Sequence, residues 1–137
     1  MTPIRHLKPT RSKNTKEDLE FEIRFFEGVA RRDPDYVEAL QILGDAYTKT
    51  GQWEKGLHID QRLAKLCPEN PLAFYNLACS YSLMNRLDEA FAALQTALRL
   101  GYDDARWLSR DPDLKNLRND SRFQRIREDV SKKSPDR

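Results

Sequence analysis

Few side chains in this 137-residue chain could carry chemistry. Arg106 and Arg110 together could hold an anionic group, because guanidinium groups meet carboxylates through paired, charge-assisted hydrogen bonds. Ser80, Ser82 and Ser109 have no histidine and acid at a spacing that would make a nucleophile of them. His58 falls on a helix flank and reads as a surface residue. Cys67 and Cys79 form no CxxC pair, and with only His6 and His58 beside them they make no metal-ligand cluster. Cys79 reads as a small thiol packed beside a tyrosine. The five glycines are scattered, so no phosphate-cradling loop is expected. Asp103-Asp104 reads as the N-cap of a helix over Ala105–Arg110 and not as a catalytic pair. No cofactor and no metal are expected, and the chain reads as a non-enzyme.

Helices must position whatever function there is. Residues 1–16 hold two prolines and no periodicity and read as a disordered basic arm. Over 17–32, Leu19, Ile23, Phe26 and Val29–Ala30 mark one helical face, and Phe21 and Phe25 widen it. Asp33-Pro34 stops that leading helix, since the residue before proline avoids the helical region. Asp35 is then expected to cap a helix from Tyr36 to Lys49, with Leu40, Leu43, Ala46 and Tyr47 on one face. Gly51 suits a left-handed C-cap. A helix over 52–66 ends before Cys67-Pro68. Asn70 caps a helix from Pro71 to Met84, and Asn85 takes the place that Gly51 took. The most amphipathic pattern, Leu87 to Leu100, ends at Gly101.

A shift of 34 residues superimposes these elements. Leu40 falls on Phe74, Leu43 on Leu77, Gly44 on Ala78, Tyr47 on Tyr81, Gly51 on Asn85 and Leu57 on Phe91. A helix pair of this length cannot bury its apolar faces alone, whereas stacked copies can. The motifs Leu40-x-x-Leu43-Gly44-x-x-Tyr47 and Phe74-x-x-Leu77-Ala78-x-x-Tyr81 resemble the first helix of a tetratricopeptide repeat. The resemblance covers about 17–110 and is looser beyond. It implies an all-α, right-handed α-solenoid of antiparallel helix pairs. Its expected parts are a leading helix (17–32), repeats over 36–68 and 70–101, and a truncated repeat with a cap over 104–130. Residues 131–137 are expected to be a disordered tail. Gly56 replaces the usual alanine. Asp60 replaces a bulky apolar residue, and a local shift turning Ile59 inward is expected to spare Asp60 from burial.

The resemblance also implies a binding scaffold whose first helices line a concave groove. Groove positions would be Gln41, Asp45, Thr48 and Lys49, then Leu72, Tyr75, Asn76, Cys79, Ser82 and Leu83, then Arg106, Ser109 and Arg110. Its partner would be a peptide segment or a partner's helix, with an acidic group near the arginines. Asn76, Arg106 and Arg110 match part of the carboxylate clamp of some family members, but Gln41 and Asp45 replace the lysine and asparagine expected there. The stretch from Asp111 to Phe123 resembles the closing segment of many bacterial members. Trp107 and Leu108 are expected to cover the helix before them. Phe123, Ile126 and Val130 should face inward on a last helix.

Charge adds two alternatives. Residues 1–16 carry five bases and no acid, and residues 115–137 carry eight bases against four acids. The body between them has 11 bases and 18 acids. Basic ends on an acidic body allow nucleic-acid or anionic-surface binding, though nucleic acid is the less expected partner. Self-association through Phe21 and Phe25 is the other alternative. No apolar run suggests a membrane span or a secretory leader, so no membrane partner and a cytoplasmic location are expected.

Overall fold

The computed structural model describes residues 15–133. Among them the chain runs α1 (Lys16–Arg32), α2 (Val37–Lys49), α3 (Trp53–Leu66), α4 (Pro71–Leu83), α5 (Leu87–Arg99), α6 (Ala105–Arg110), a 3-10 turn (Pro112–Leu117) and α7 (Ser121–Lys133). Contacts divide the chain into two compact units between Pro68 and Glu69.

In the first unit, Thr15 opens α1 with a reciprocal cap. Its Oγ1 accepts the Asp18 N–H at 3.0 Å while the Asp18 carboxylate accepts the Thr15 N–H. The expected disordered arm therefore stops short of Thr15 and Lys16, and its remainder, residues 1–14, lies outside the described residues. Leu19 and Ile23 pack against Leu43, Ala46 and Tyr47, with Phe26, Ala30 and Ile59 at the margin. Tyr47 also donates its hydroxyl to Glu27 Oε2 at 2.5 Å, fastening α2 to α1.

Two expectations in this unit are corrected. Asp35 does not cap α2. The cap position is Tyr36, with no side-chain bond, and the Asp35 carboxylate is taken instead by Arg62 Nη2 at 2.6 Å. Arg62 Nε reaches the Pro34 carbonyl as well, so α3 is tied to the loop before α2. Asp60 is not spared burial either: it is 1% exposed, while Ile59 is half-buried at the core margin. The room comes from Gly44. A Cβ there would lie 3.2 Å from Ile59 Cγ2 and 3.4 Å from Asp60 Oδ1, so the absent side chain lets both residues approach α2. Asp60 is engaged with other groups, as a buried carboxyl must be.

In the second unit, the Asn70 side chain accepts the Leu72 N–H, and Pro71 occupies the first turn of α4, where its missing N–H costs nothing. Asn85 turns the chain at φ 59°, the left-handed conformation that Gly51 adopts at φ 76° between α2 and α3. The buried face of α5 is Ala90, Phe91, Ala93, Leu94, Ala97 and Leu98. Asp104 caps α6 through the Trp107 N–H at 2.9 Å. Asp111-Pro112 then breaks the helix, and the 3-10 turn buries Leu114 and Leu117 completely. On α7, Phe123, Ile126 and Val130 face inward. Its start is fixed by Arg122, which meets Asp120 and Asp88 at 2.8 Å and lies over the Phe91 ring. The helix continues to Lys133, so the expected tail is helical at 131–133 and otherwise falls outside the described residues.

Candidate functional site

The second unit decides how the expected groove residues can act. Tyr75 is fully buried, and Cys79 (1% exposed), Asn76 and Ser82 are buried with it. They are covered by the segment that follows α6. The Tyr75 hydroxyl donates to Asp111 Oδ2 at 2.5 Å, and Cys79 Sγ lies 3.6 Å from the same oxygen. Asp111 Oδ1 accepts the Asp113 N–H, its carbonyl accepts Arg118 Nη2, and Asn116 Nδ2 donates to the Ser82 carbonyl. Tyr102 stacks on Tyr75 with ring centres 4.5 Å apart. Burial, before anything else, pushes the Tyr75 hydroxyl far above the ordinary phenol range, and Cys79, Tyr102 and Asp111 push it the same way. Tyr75 is therefore a neutral donor and cannot serve as a base.

This arrangement closes the α4 face. The positions at which Tyr75 and Cys79 would meet a partner are occupied by the chain's own acid, Asp111. In the sequence Asp111 reads as a helix stop, because it precedes Pro112. Its second role could be suspected from an acid standing between two apolar stretches, Trp107–Leu108 and Leu114–Leu117, each of which must turn inward.

Cys79, Asp111 and Asp113 bring three potential metal ligands within 4.8 Å of one another. The donor set fits a metal poorly. Asp111 already accepts from the Tyr75 hydroxyl and the Asp113 N–H, and a soft thiolate with two hard carboxylates matches no common site. The cluster works as a buried acceptor surrounded by donors.

The remaining expected residues lie nearer the surface. On α2, Lys49 is exposed and pairs with the buried Asp45 carboxylate at 3.1 Å, while Gln41 is half-buried. On α6, Arg106, Ser109 and Arg110 are exposed, and neither arginine bridges to Asp103, Asp104 or Asp111. Arg106 and Ser109 line one side of a cleft completed by Arg127, Glu128 and Lys132 of α7, residues to which the motif reading gave no role. His58 is exposed. Phe21 and Phe25, 61% and 54% exposed, stack on the outside of α1.

Comparison with known proteins agrees with this fold. The crystal structure of MamA superimposes with a TM-score of 0.70 over 93% of this chain and 77% of that one, at 22% identity. Among curated proteins, a chloroplastic protein of Arabidopsis thaliana is 36% identical over 97 residues, which are 69% of this chain and 28% of that protein. The peroxisomal targeting signal receptor of Komagataella phaffii is 31% identical over 91 residues, 65% of this chain and 16% of the receptor. The chain thus spans well under a third of the curated relatives it matches. No family model matches it. The fold is the α-solenoid of the tetratricopeptide type. Among the described residues no helix is long and apolar enough to cross a membrane.

Proposed function

We propose that this chain is a non-enzymatic interaction module that binds a segment of another protein, and that it works in the cytoplasm. The observation that carries the reading is the pairing of a repeat scaffold with a buried, hydrogen-bonded polar cluster. The groups with chemical potential, Tyr75, Cys79 and Asp111, are used to hold α4 to its covering segment, which leaves surface side chains for recognition. Gln41 and Lys49 on α2 and Arg106 and Arg110 on α6 are the contact residues under this reading. Asp45 supports Lys49, Tyr75 and Cys79 support the segment after α6 from beneath, and Asn76 is buried beside them. The similarity to a protein named as a peroxisomal targeting signal receptor points the same way.

The test is crosslinking and affinity capture from native cell extract, with Arg106→Glu/Arg110→Glu as the comparison bait. Specific partners retained by the wild type and lost by the double variant are expected. A bait that retains no protein above a scrambled-surface control overturns the reading.

A second reading, self-association, rests on the stacked and exposed Phe21 and Phe25 on α1. Sedimentation of a monomer at high concentration excludes it.

A further inference from the structure

The cleft between α6 and α7 has a composition that selects a partner. One wall is Arg106 and Ser109. The other is Gln124, Arg127, Glu128 and Lys132 of α7. Three cations thus face one acid across a solvent-open channel. Arg106 and Lys132 make no hydrogen bond or ion pair with any described residue. Arg127 gives one N–H to Gln124 Oε1 at 3.3 Å, Gln124 in turn donates to Glu128 at 3.2 Å, and the rest of the guanidinium stays available.

The opposite flank of α7 makes the contrast. Arg122 on that side is neutralised by Asp88 and Asp120 and held over Phe91, so its charge is already spent within the fold. On the α6 side the positive charge has no such partner. Uncompensated guanidinium groups facing one channel hold carboxylates through charge-assisted hydrogen bonds.

We infer that the α6–α7 cleft docks an acidic segment of a partner protein, with Arg106, Arg127 and Lys132 receiving its Asp and Glu side chains. This rests on the interaction-module reading and names its site and partner chemistry. Nucleic acid fits less well, because single strands are held on exposed aromatic rings as well as cations. The exposed large aromatics of the described residues are Phe21, Phe25, Tyr36 and Trp53, all in the first unit. Ser109 and Gln124, which line the same channel, can bond the peptide groups of a docked segment.

The experiment is fluorescence anisotropy with the full chain at low salt. The probe is a labelled hexaglutamate peptide with amidated C-terminus, and the matched hexaglutamine peptide and a labelled oligothymidine are its controls. The glutamate peptide is expected to bind and the glutamine peptide is not. Arg106→Glu/Arg127→Glu should weaken binding at least about tenfold, the scale of losing two charge-assisted contacts. Glu128→Gln should strengthen it a few-fold. Arg99→Glu, which changes an exposed arginine of α5 outside the cleft, should have a clearly smaller effect. Equal losses in Arg99→Glu and the cleft variant would mean general charge attraction and would overturn the proposal. So would tighter binding of the oligothymidine that is lost in the same cleft variant. If extract capture of partners persists in the cleft variant, the interaction-module reading stands and only this site falls.

Discussion

Each of the two helix hairpins is fastened to a flanking element by the same bond, a tyrosine hydroxyl donating to a carboxylate at 2.5 Å. In the first unit Tyr47 reaches back to Glu27 of α1, at a partly open position. In the second, Tyr75 reaches forward to Asp111, beneath Tyr102 and out of reach of water. The crossings inside the hairpins differ as well. Between α2 and α3, Gly44 makes room for Ile59 and a buried acid, Asp60. Between α4 and α5 the corresponding residues are Ala78, Ala93 and Leu94, all apolar and buried. One repeat period therefore accommodates two chemistries, one with a polar crossing and a shallow fastening, the other with a dry crossing and a deep one. Depth sets the strength of the fastening, because an unmet polar group costs most where water cannot replace its partner.

The largest effect expected from that contrast is at Asp111. Asp111→Ala strips the acceptor from the Tyr75 hydroxyl and the cap from Asp113, and should cost about 3 kcal/mol in urea unfolding at neutral pH. Glu27→Ala should cost about 1 kcal/mol, since water can reach its tyrosine. Equal losses would erase the distinction between the two fastenings.

A smaller effect is expected at alkaline pH. Burial raises both hydroxyls above the ordinary phenol value of 10.0, with Glu27 adding to the rise at Tyr47. The unfolded tyrosines ionise first, so the stabilisation is complete below that value and is lost as pH climbs beyond it. Melting temperature should fall through that range. Tyr75→Phe should flatten the fall more than Tyr47→Phe, and the reverse order would contradict the burial argument.

The smallest effect belongs to an exposed carboxyl, which sets the lower end of the scale. Hydrogen bonds from Arg122 hold Asp120 down at about 2 from 3.8. Its contribution is present above the higher value and fades as pH falls toward the lower one. Protection of the amides in the first turn of α7, measured against their intrinsic exchange rates, should fall over that window, and Asp120→Asn should make that protection insensitive to pH there.

The helix plan was legible because its signals are local. Asp33-Pro34, Cys67-Pro68 and Asp111-Pro112 stop helices wherever they occur, and Gly51 and Asn85 take the left-handed turns that their types favour. The matched spacing of Leu43-Gly44 and Leu77-Ala78 revealed the repeat. What escaped depends on partners distant in sequence. Asp35 looked like a cap until Arg62, 27 residues on, took its carboxylate. Asp60 looked too costly to bury, since nothing local shows that Gly44 opens space for it. Tyr75 and Cys79 sat at positions that suggest a groove, and only the path of the chain after Arg110 shows that Asp111 covers them.

The side-chain bonds that fasten these elements join residues 20, 27, 34 and 36 positions apart. Closing a loop of that size costs chain entropy that grows only with the logarithm of its length, and structures built from near neighbours fold fast. Each fastening is therefore within reach once some three dozen residues past its first partner have been synthesised, as in the handover of Tyr75 to Asp111. A growing chain of this kind can secure its hairpins one after another, the first of them well before its last helix exists.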